Sequence, residues 1–451
     1  MKKNHIKFNN PAASNGASNF RRCGLRGIDP HGSRLGSLRA GIKFSLSVGM
    51  LCAAFFSVPF LLNGCGNRDA GELPLGEVNE APEDLPDQGL PDAVEETESG
   101  NRDGQGTKDA DTNEAKEELP VIGERKTMNG KMQSYLTGEW LDADAATRRP
   151  IAVMIPNNAP AMPQYGLSKA AIIYEAPVEG RITRLMAVFE DYDGLDHIGP
   201  VRSSRDYFVY VAMGYEAIYC NWGLARPYVE DLLRRDTVQN ISAGVGGIHN
   251  PSDEAFGRIS RAGYATEFTG YLFMNGLEKA IKRQKYETEY DDAYVPPFTF
   301  AAEGFRAEYG DEKDAAMVYP GGRTDNRGGY GVYNPYFEYN EKDRLYYRYQ
   351  DGKKQIDEYD NSQLAVSNVV FQYCHGEVRD KKDYLAFGVH GEGDALVFTN
   401  GKVIEGTWKR YDGDATPAKF YDKNGEEIIF NQGKTWICNI WEEYGEFVEY
   451  K

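Results

Sequence analysis

Four short runs of almost uninterrupted apolar residues stand out in the middle of the chain, at 151–155, 170–174, 185–189 and 216–220. A strand covered on both faces has no solvent side to mark with polar residues, so runs of this length predict buried strands. Helical spacing falls between and after them, at 203–213, 227–235 and 276–284. The second of these has proline in its first turn and arginines in its last, which suits the backbone and the dipole of a helix. Buried strands alternating with helices predict an α/β layered domain over residues 134–292.

Further along, the period changes to two. Residues 332–339 and 344–349 alternate apolar or aromatic with polar positions, as strands with one wet face do. Asp351-Gly352, Asn400-Gly401 and Asn424-Gly425 punctuate the segment. The last two sit between strand-like runs, 395–398 with 403–408 and 418–421 with 427–430. Asn-Gly supplies positive φ at little steric cost and so predicts hairpins. Residues 435–441 close the series, giving a mostly-β C-terminal domain over 315–451, reached through a linker at 293–314 that contains Pro296-Pro297.

The N-terminal part follows neither pattern. Residues 1–43 carry nine Lys or Arg and one acid; residues 44–62 are nineteen residues without a charge. Leu62-Asn63-Gly64-Cys65 then resembles a bacterial lipobox, with Asn63 departing from the usual small or hydroxyl residue. A basic flank, an apolar run and a small-residue exit predict a signal peptide over 1–65, with a palmitate-type lipid on Cys65 holding the mature chain to the extracytoplasmic face of the cell membrane. The competing expectation is an uncleaved transmembrane anchor, for which nineteen residues suffice. Residues 66–126 contain eighteen acids and six bases and no aromatic residue. They cannot bury enough apolar area to offset chain entropy, so 66–133 is expected to be a disordered acidic linker between lipid and folded part.

Over all 451 residues, 69 acids against 51 bases leave a net charge of -18, which disfavours a nucleic-acid partner. With 41% apolar residues the chain has material for real cores. No CxxC, HExxH or phosphate-loop motif occurs, so no metal and no cofactor are expected. Asp191-Tyr192-Asp193-Gly194-Leu195-Asp196 lacks the ligand spacing of a calcium loop, and Gly244-Val245-Gly246-Gly247 does not complete a dinucleotide fingerprint. Beyond Cys65, three cysteines remain in the mature chain. Cys374 and Cys438 lie on predicted strands and are candidates for a disulfide; Cys220 is then a buried thiol, and the alternative is three reduced thiols.

The candidate chemistry lies in arginines. Arg181 and Arg184 stand where the third apolar strand opens, and Arg202-Ser203-Ser204-Arg205-Asp206 follows a Gly199-Pro200 turn at the start of a predicted helix. Either serine could cap that helix. Guanidinium groups beside a helix N-terminus bind anions through donors, dipole and charge together. The competing expectation is a structural network in which Glu175, Glu179, Glu190 and Asp206 pair with the arginines.

Several of these segments resemble the YerB-like family of bacterial lipoproteins, which has an N-terminal and a C-terminal domain of unknown function. They are Arg149 through Ile155 with Asn157, Pro163 through Ala170, Tyr174 through Gly180, Thr183-Arg184-Leu185, Ile198 through Arg205, Gly391 through Ala395, Gly406 through Arg410, and Gly433 through Trp436. Thr266-Glu267-Phe268-Thr269 departs from the histidine-bearing segment expected near the end of the first domain. The resemblance implies topology and location but no reaction. A looser similarity, through Pro200-Val201-Arg202 and Arg205-Asp206, is to the LytR-CpsA-Psr enzymes, which move polyprenyl-linked glycopolymers and hold pyrophosphate with arginines. Three functions are therefore expected candidates. The first is an envelope lipoprotein binding an anionic, phosphorylated wall-related ligand or a wall-synthesis protein. The second is a phosphotransferase, which alone would need a divalent metal. The third is a structural interaction module.

Overall fold

The computed structural model describes residues 118–244, 254–321 and 328–451. The predicted signal peptide, Cys65, the acidic stretch up to residue 117, and His249 lie outside the described residues. What is described is mostly β with few helices.

The apolar runs of the first half become β1 (Ile151–Pro156), β2 (Ile172–Val178), β3 (Ile182–Phe189) and β4 (Ile218–Trp222), followed by β5 (Asn240–Ala243). Between and after them lie α1 (Asp206–Gly214), α2 (Arg226–Leu233) and α3 (Met274–Gln284). The second half supplies β6 (Lys313–Asp314), β7 (Met317–Tyr319), β8 (Tyr336–Asn340), β9 (Leu345–Gln350), β10 (Asn368–Cys374), β11 (Gly391–Thr399), β12 (Lys402–Arg410) and β13 (Thr435–Trp441). Asn400 and Gly401 join β11 to β12 with φ of 51° and 74°, as the Asn-Gly signal requires.

Among the described residues an eleven-stranded sheet runs β6-β12-β11-β10-β13-β2-β3-β1-β4-β5, with strand Lys419–Asp422 added beside β12. The seam matters most. β13 pairs parallel with β2, Thr435 opposite Ile172 through Cys438 opposite Glu175. The two halves of the sequence thus share one sheet, and the apolar runs are buried because helices or a second sheet cover each face. Alternate residues of β1 to β3 enter two cores. Ala152, Met154, Tyr174 and Met186 pack with Tyr207, Phe208, Val229 and Leu233 of α1 and α2. Ile151, Val153, Ile173 and Leu185 pack with Leu277 and Ile281 of α3 and with Val318, Phe337 and Tyr346 of the smaller β7-β8-β9 sheet.

Three expectations need correction. Residues 118–133, assigned to a disordered linker, hold a strand at Lys131–Gln133. Ile122 donates its N–H to Phe300, and Arg125 lies 3.1 Å over the Tyr135 ring. Apolar and aromatic contacts there outweigh the acidic composition of the neighbouring stretch. Within the 293–314 connection, Thr299–Phe300 pairs parallel with Ile429–Phe430, so that segment is part of the fold. Cys374 and Cys438 do not bridge. On the parallel pair β10 and β13, Phe371 stands opposite Cys438 and Cys374 opposite Trp441. An odd offset of three turns the two thiols to opposite faces, one into each core. Cys220, Cys374 and Cys438 are all free and buried, and burial pushes each thiol up.

Candidate anion-binding site

β1 and β4 run parallel, and the chain entering α1 crosses near their C-terminal ends. Arg202 donates its N–H to the Met154 carbonyl and accepts from the Trp222 N–H, while Ser204 donates to the Gly223 carbonyl. These backbone bonds hold residues 202–204 as an extended stub before the helix. From the other side comes Arg184, on β3, in register with Pro156 and Ala176.

Three of the four predicted arginines meet at this point. Arg184 Nη1 donates to the Ser203 carbonyl at 2.6 Å, and Arg205 Nη1 reaches the Ser204 carbonyl at 2.7 Å. Arg184 is 6% exposed, and its Nε finds no acceptor among the described residues. Burial, then the neighbouring Arg205 and Arg202 charges, pull its pKa down to about 9. Burial works the same way on Arg205, but the Glu179 carboxylate, paired with it through Nε and Nη2, more than restores the charged form. Arg202 pairs with Glu267 at 2.9 Å, with its guanidinium 5.4 Å from the Phe268 ring. Arg181 occupies the exposed turn between β2 and β3 with φ of 61°.

The carboxylates expected around these arginines mostly go elsewhere. Asp206 pairs with Arg379 at 2.7 Å, on the hairpin formed by Gly376–Val378 and Leu385–Phe387. Glu190 is buried against the Ser134 hydroxyl, and burial raises its pKa to about 7 in spite of that bond and of Arg125 nearby. Glu175 pairs with Arg348, whose Nη2 lies 3.0 and 2.8 Å from the two carboxylate oxygens, both side chains being fully buried. Trp436 Nε1 and Asn157 Nδ2 donate to the same carboxylate at 2.9 Å each. This network joins the two halves of the sequence across the seam. One signal for it was legible: Glu175 interrupts an apolar strand, and Arg348 falls on the inward phase of β9 between Tyr346 and Gln350.

Neither serine caps α1. The N-cap is Arg205, without a side-chain cap bond. The Ser204 hydroxyl is 2.8 Å from Tyr219 Oη, and Ser203 contributes its carbonyl. The tight entry imposed by the Gly223 and Met154 bonds leaves the cap position one residue later than the pattern suggested. His390 Nε2 lies 3.0 Å from Asp414. No cluster of three His, Cys, Asp or Glu among the described residues could hold a metal ion. Nor is any helix among them long and apolar enough to cross a membrane. Chemically, the site offers one buried guanidinium with spare donors and two more that are paired.

Comparison with known proteins agrees with the family expectation. Residues 136–287 match the N-terminal domain, and residues 328–437 the C-terminal domain, of a protein family of unknown function, DUF3048. The chain is 28% identical over 312 residues to a Bacillus subtilis protein named as a candidate lipoprotein, YerB, covering 68% of this chain and 86% of that one. The crystal structure of the Bacillus subtilis YerB protein superposes with a TM-score of 0.57 at 26% identity, covering 71% of this chain and 99% of that chain. With both domains present in order and nearly the whole of that crystal structure matched, the chain belongs to the YerB-like family.

Proposed function

We propose that this protein is held by a lipid at Cys65 to the extracytoplasmic face of the cell membrane, and that its Arg184–Arg202–Arg205 site binds a phosphorylated, wall-related anion. The observation that supports the reading is Arg184. A guanidinium removed from water is normally met by a carboxylate; this one touches a carbonyl and feels two like charges, with the Glu179 carboxylate of the Arg205 pair acting on it more weakly. An arriving phosphate would supply the missing negative charge and accept from the free Nε. The location fits as well, because ligands of open sheets gather outside the C-terminal ends of parallel strands, and α1 begins there. The lipid anchor is supported by the lipobox-like run and the YerB relative. Calorimetric titration of the full chain with inorganic pyrophosphate at low salt tests the site. Binding should weaken at least tenfold in Arg184→Met and fall as salt rises. Equal binding in that variant, or none in either protein, would remove the proposal.

A second reading has its own support. Arg205–Glu179 and Arg202–Glu267 are complete ion pairs, as in a structural interaction module that uses no ligand. Failure of every phosphorylated probe together with a marked loss of stability in Arg184→Met would favour it.

A further inference from the structure

The β7-β8-β9 sheet turns Val318, Phe337 and Tyr346 into the core. Strand alternation sends their neighbours outward, and four of these are half-buried tyrosines: Tyr319, Tyr336, Tyr347 and Tyr349. Tyr336 stacks on Tyr349 at 4.8 Å and leans on Tyr319 at 5.4 Å. Tyr347 differs. Across the strands it faces Glu338 and Ala365, and it stacks on no other ring among the described residues. Its hydroxyl donates to Asp343 at 2.6 Å, which fixes the ring.

A hollow of about 560 Å³ opens on this face, with Tyr339, Tyr347 and Tyr349 in its lining. Tyr347 and Gln363 also line a hollow beside Leu345 and Ala365, and Lys354 also lines one beside Gln350 and Ile356. The three therefore adjoin in order along β9, and the Tyr347 ring stands between the first two. An occupant of the whole groove is long rather than compact. In the central hollow Glu338 and Glu341 are balanced by Lys342 and Lys354, which favours neither a polyanion nor a polycation. The groove lies on the face of the sheet, where β8 and β9 are already paired with their neighbours, so an extended peptide finds no edge to join. What the face offers is rigid rings with polar tips, beside carboxylate and amide groups. A β-linked pyranose chain complements that surface: its flat C–H faces carry the slight positive charge that a ring face attracts, and its hydroxyls lie at the rim.

We propose that this groove binds a neutral, β-linked polysaccharide chain laid along β9, with a pyranose face on Tyr347 and hydroxyls at Glu338 and Gln363. None of Arg184, Arg202 and Arg205 lines the three hollows, so the site stands apart from the anion site. Titration of the full chain with cellohexaose and with chitohexaose tests it by calorimetry. At least one hexasaccharide should bind, at least tenfold more tightly than its own disaccharide and with the same affinity at low and high salt. Binding of both assigns the bare pyranose face, and binding of chitohexaose alone a sugar whose acetamido group is read as well. Tyr347→Ala should weaken binding at least tenfold, while Tyr347→Phe keeps it within threefold because the ring remains. Glu338→Arg, a change at an exposed position that fills the central hollow, should abolish it. Arg184→Met should bind the hexasaccharide unchanged. No hexasaccharide binding by the folded chain, or equal binding in Tyr347→Ala, overturns the proposal. So does a dimer in sedimentation that Tyr347→Ala dissociates, which would make this face a contact between copies.

Discussion

Arg348 and Arg184 are both withdrawn from water, and their surroundings could hardly differ more. Arg348 faces both oxygens of Glu175 and lies over the adjoining rings of Phe337 and Trp436, 4.7 and 4.6 Å from its guanidinium carbon. Its charge is matched, and Trp436, Asn157 and Thr183 satisfy the remaining lone pairs of the carboxylate. Arg184 has the Ser203 carbonyl, two neighbouring arginines and, acting more weakly, the Glu179 carboxylate that pairs with Arg205. The first guanidinium touches a carboxylate and the second does not, although each keeps buried nitrogens without an acceptor among the described residues, Nε and Nη1 in Arg348 and Nε in Arg184. Burial alone therefore does not set how an arginine's charge is met; the groups that the fold brings beside it do.

The hardest blow to this contrast would come from Arg348. Removing one member of a buried, hydrogen-bonded ion pair strands its partner, so Arg348→Ala should cost about 3–5 kcal/mol in urea unfolding. Replacing both members, Glu175→Leu with Arg348→Met, should recover most of that loss. A loss below about 1 kcal/mol would mean that the pair does not secure the seam between β2 and β13.

Glu190 sharpens the contrast from the acidic side, as a buried carboxyl met by Ser134 and, more distantly, by Arg125. Between about pH 4.5, the ordinary value, and about 7 the folded chain keeps a proton that the unfolded chain has lost. Stability from this group is greatest below that window and declines by about 3 kcal/mol as pH rises through it. The difference between wild type and Glu190→Gln, measured by denaturation across pH 4–8, should show that decline and level off above it. A flat difference would mean that the carboxyl is already ionised in the fold.

Trp436→Phe keeps most of the ring and removes one donor to Glu175, with an expected loss of about 1–3 kcal/mol. Arg184→Met should have the smallest effect, neutral or stabilising within about 1 kcal/mol, because one hydrogen bond is exchanged for relief of repulsion and desolvation. A destabilisation as large as that of Arg348→Ala would make Arg184 structural and dissolve the comparison.

Local chemistry was enough to read much of this molecule. The apolar runs at 151–155 and 185–189 could be placed because strand burial leaves a mark in every residue of the run. Asn400-Gly401 could be placed because positive φ is a property of the dipeptide itself. The meeting of Arg184 with Arg202 and Arg205 was also within reach, since a strand and the start of the next helix are neighbours in such folds.

Partnership was not legible. Glu175 faces Arg348, 173 residues away, because β13 inserts beside β2 and brings β9 over its face. Asp206 finds Arg379 for a similar reason, a hairpin from the second half folding across α1. Cys374 and Cys438 part company on a three-residue offset that no count of cysteines contains. Periodicity and turn chemistry act over a few residues and are written where they act. Which carboxylate neutralises which guanidinium depends on sheet order and strand register, which many distant pairings set together. Only the assembled sheet could bring Arg348 onto Glu175 and leave Arg184 in contact with a carbonyl instead.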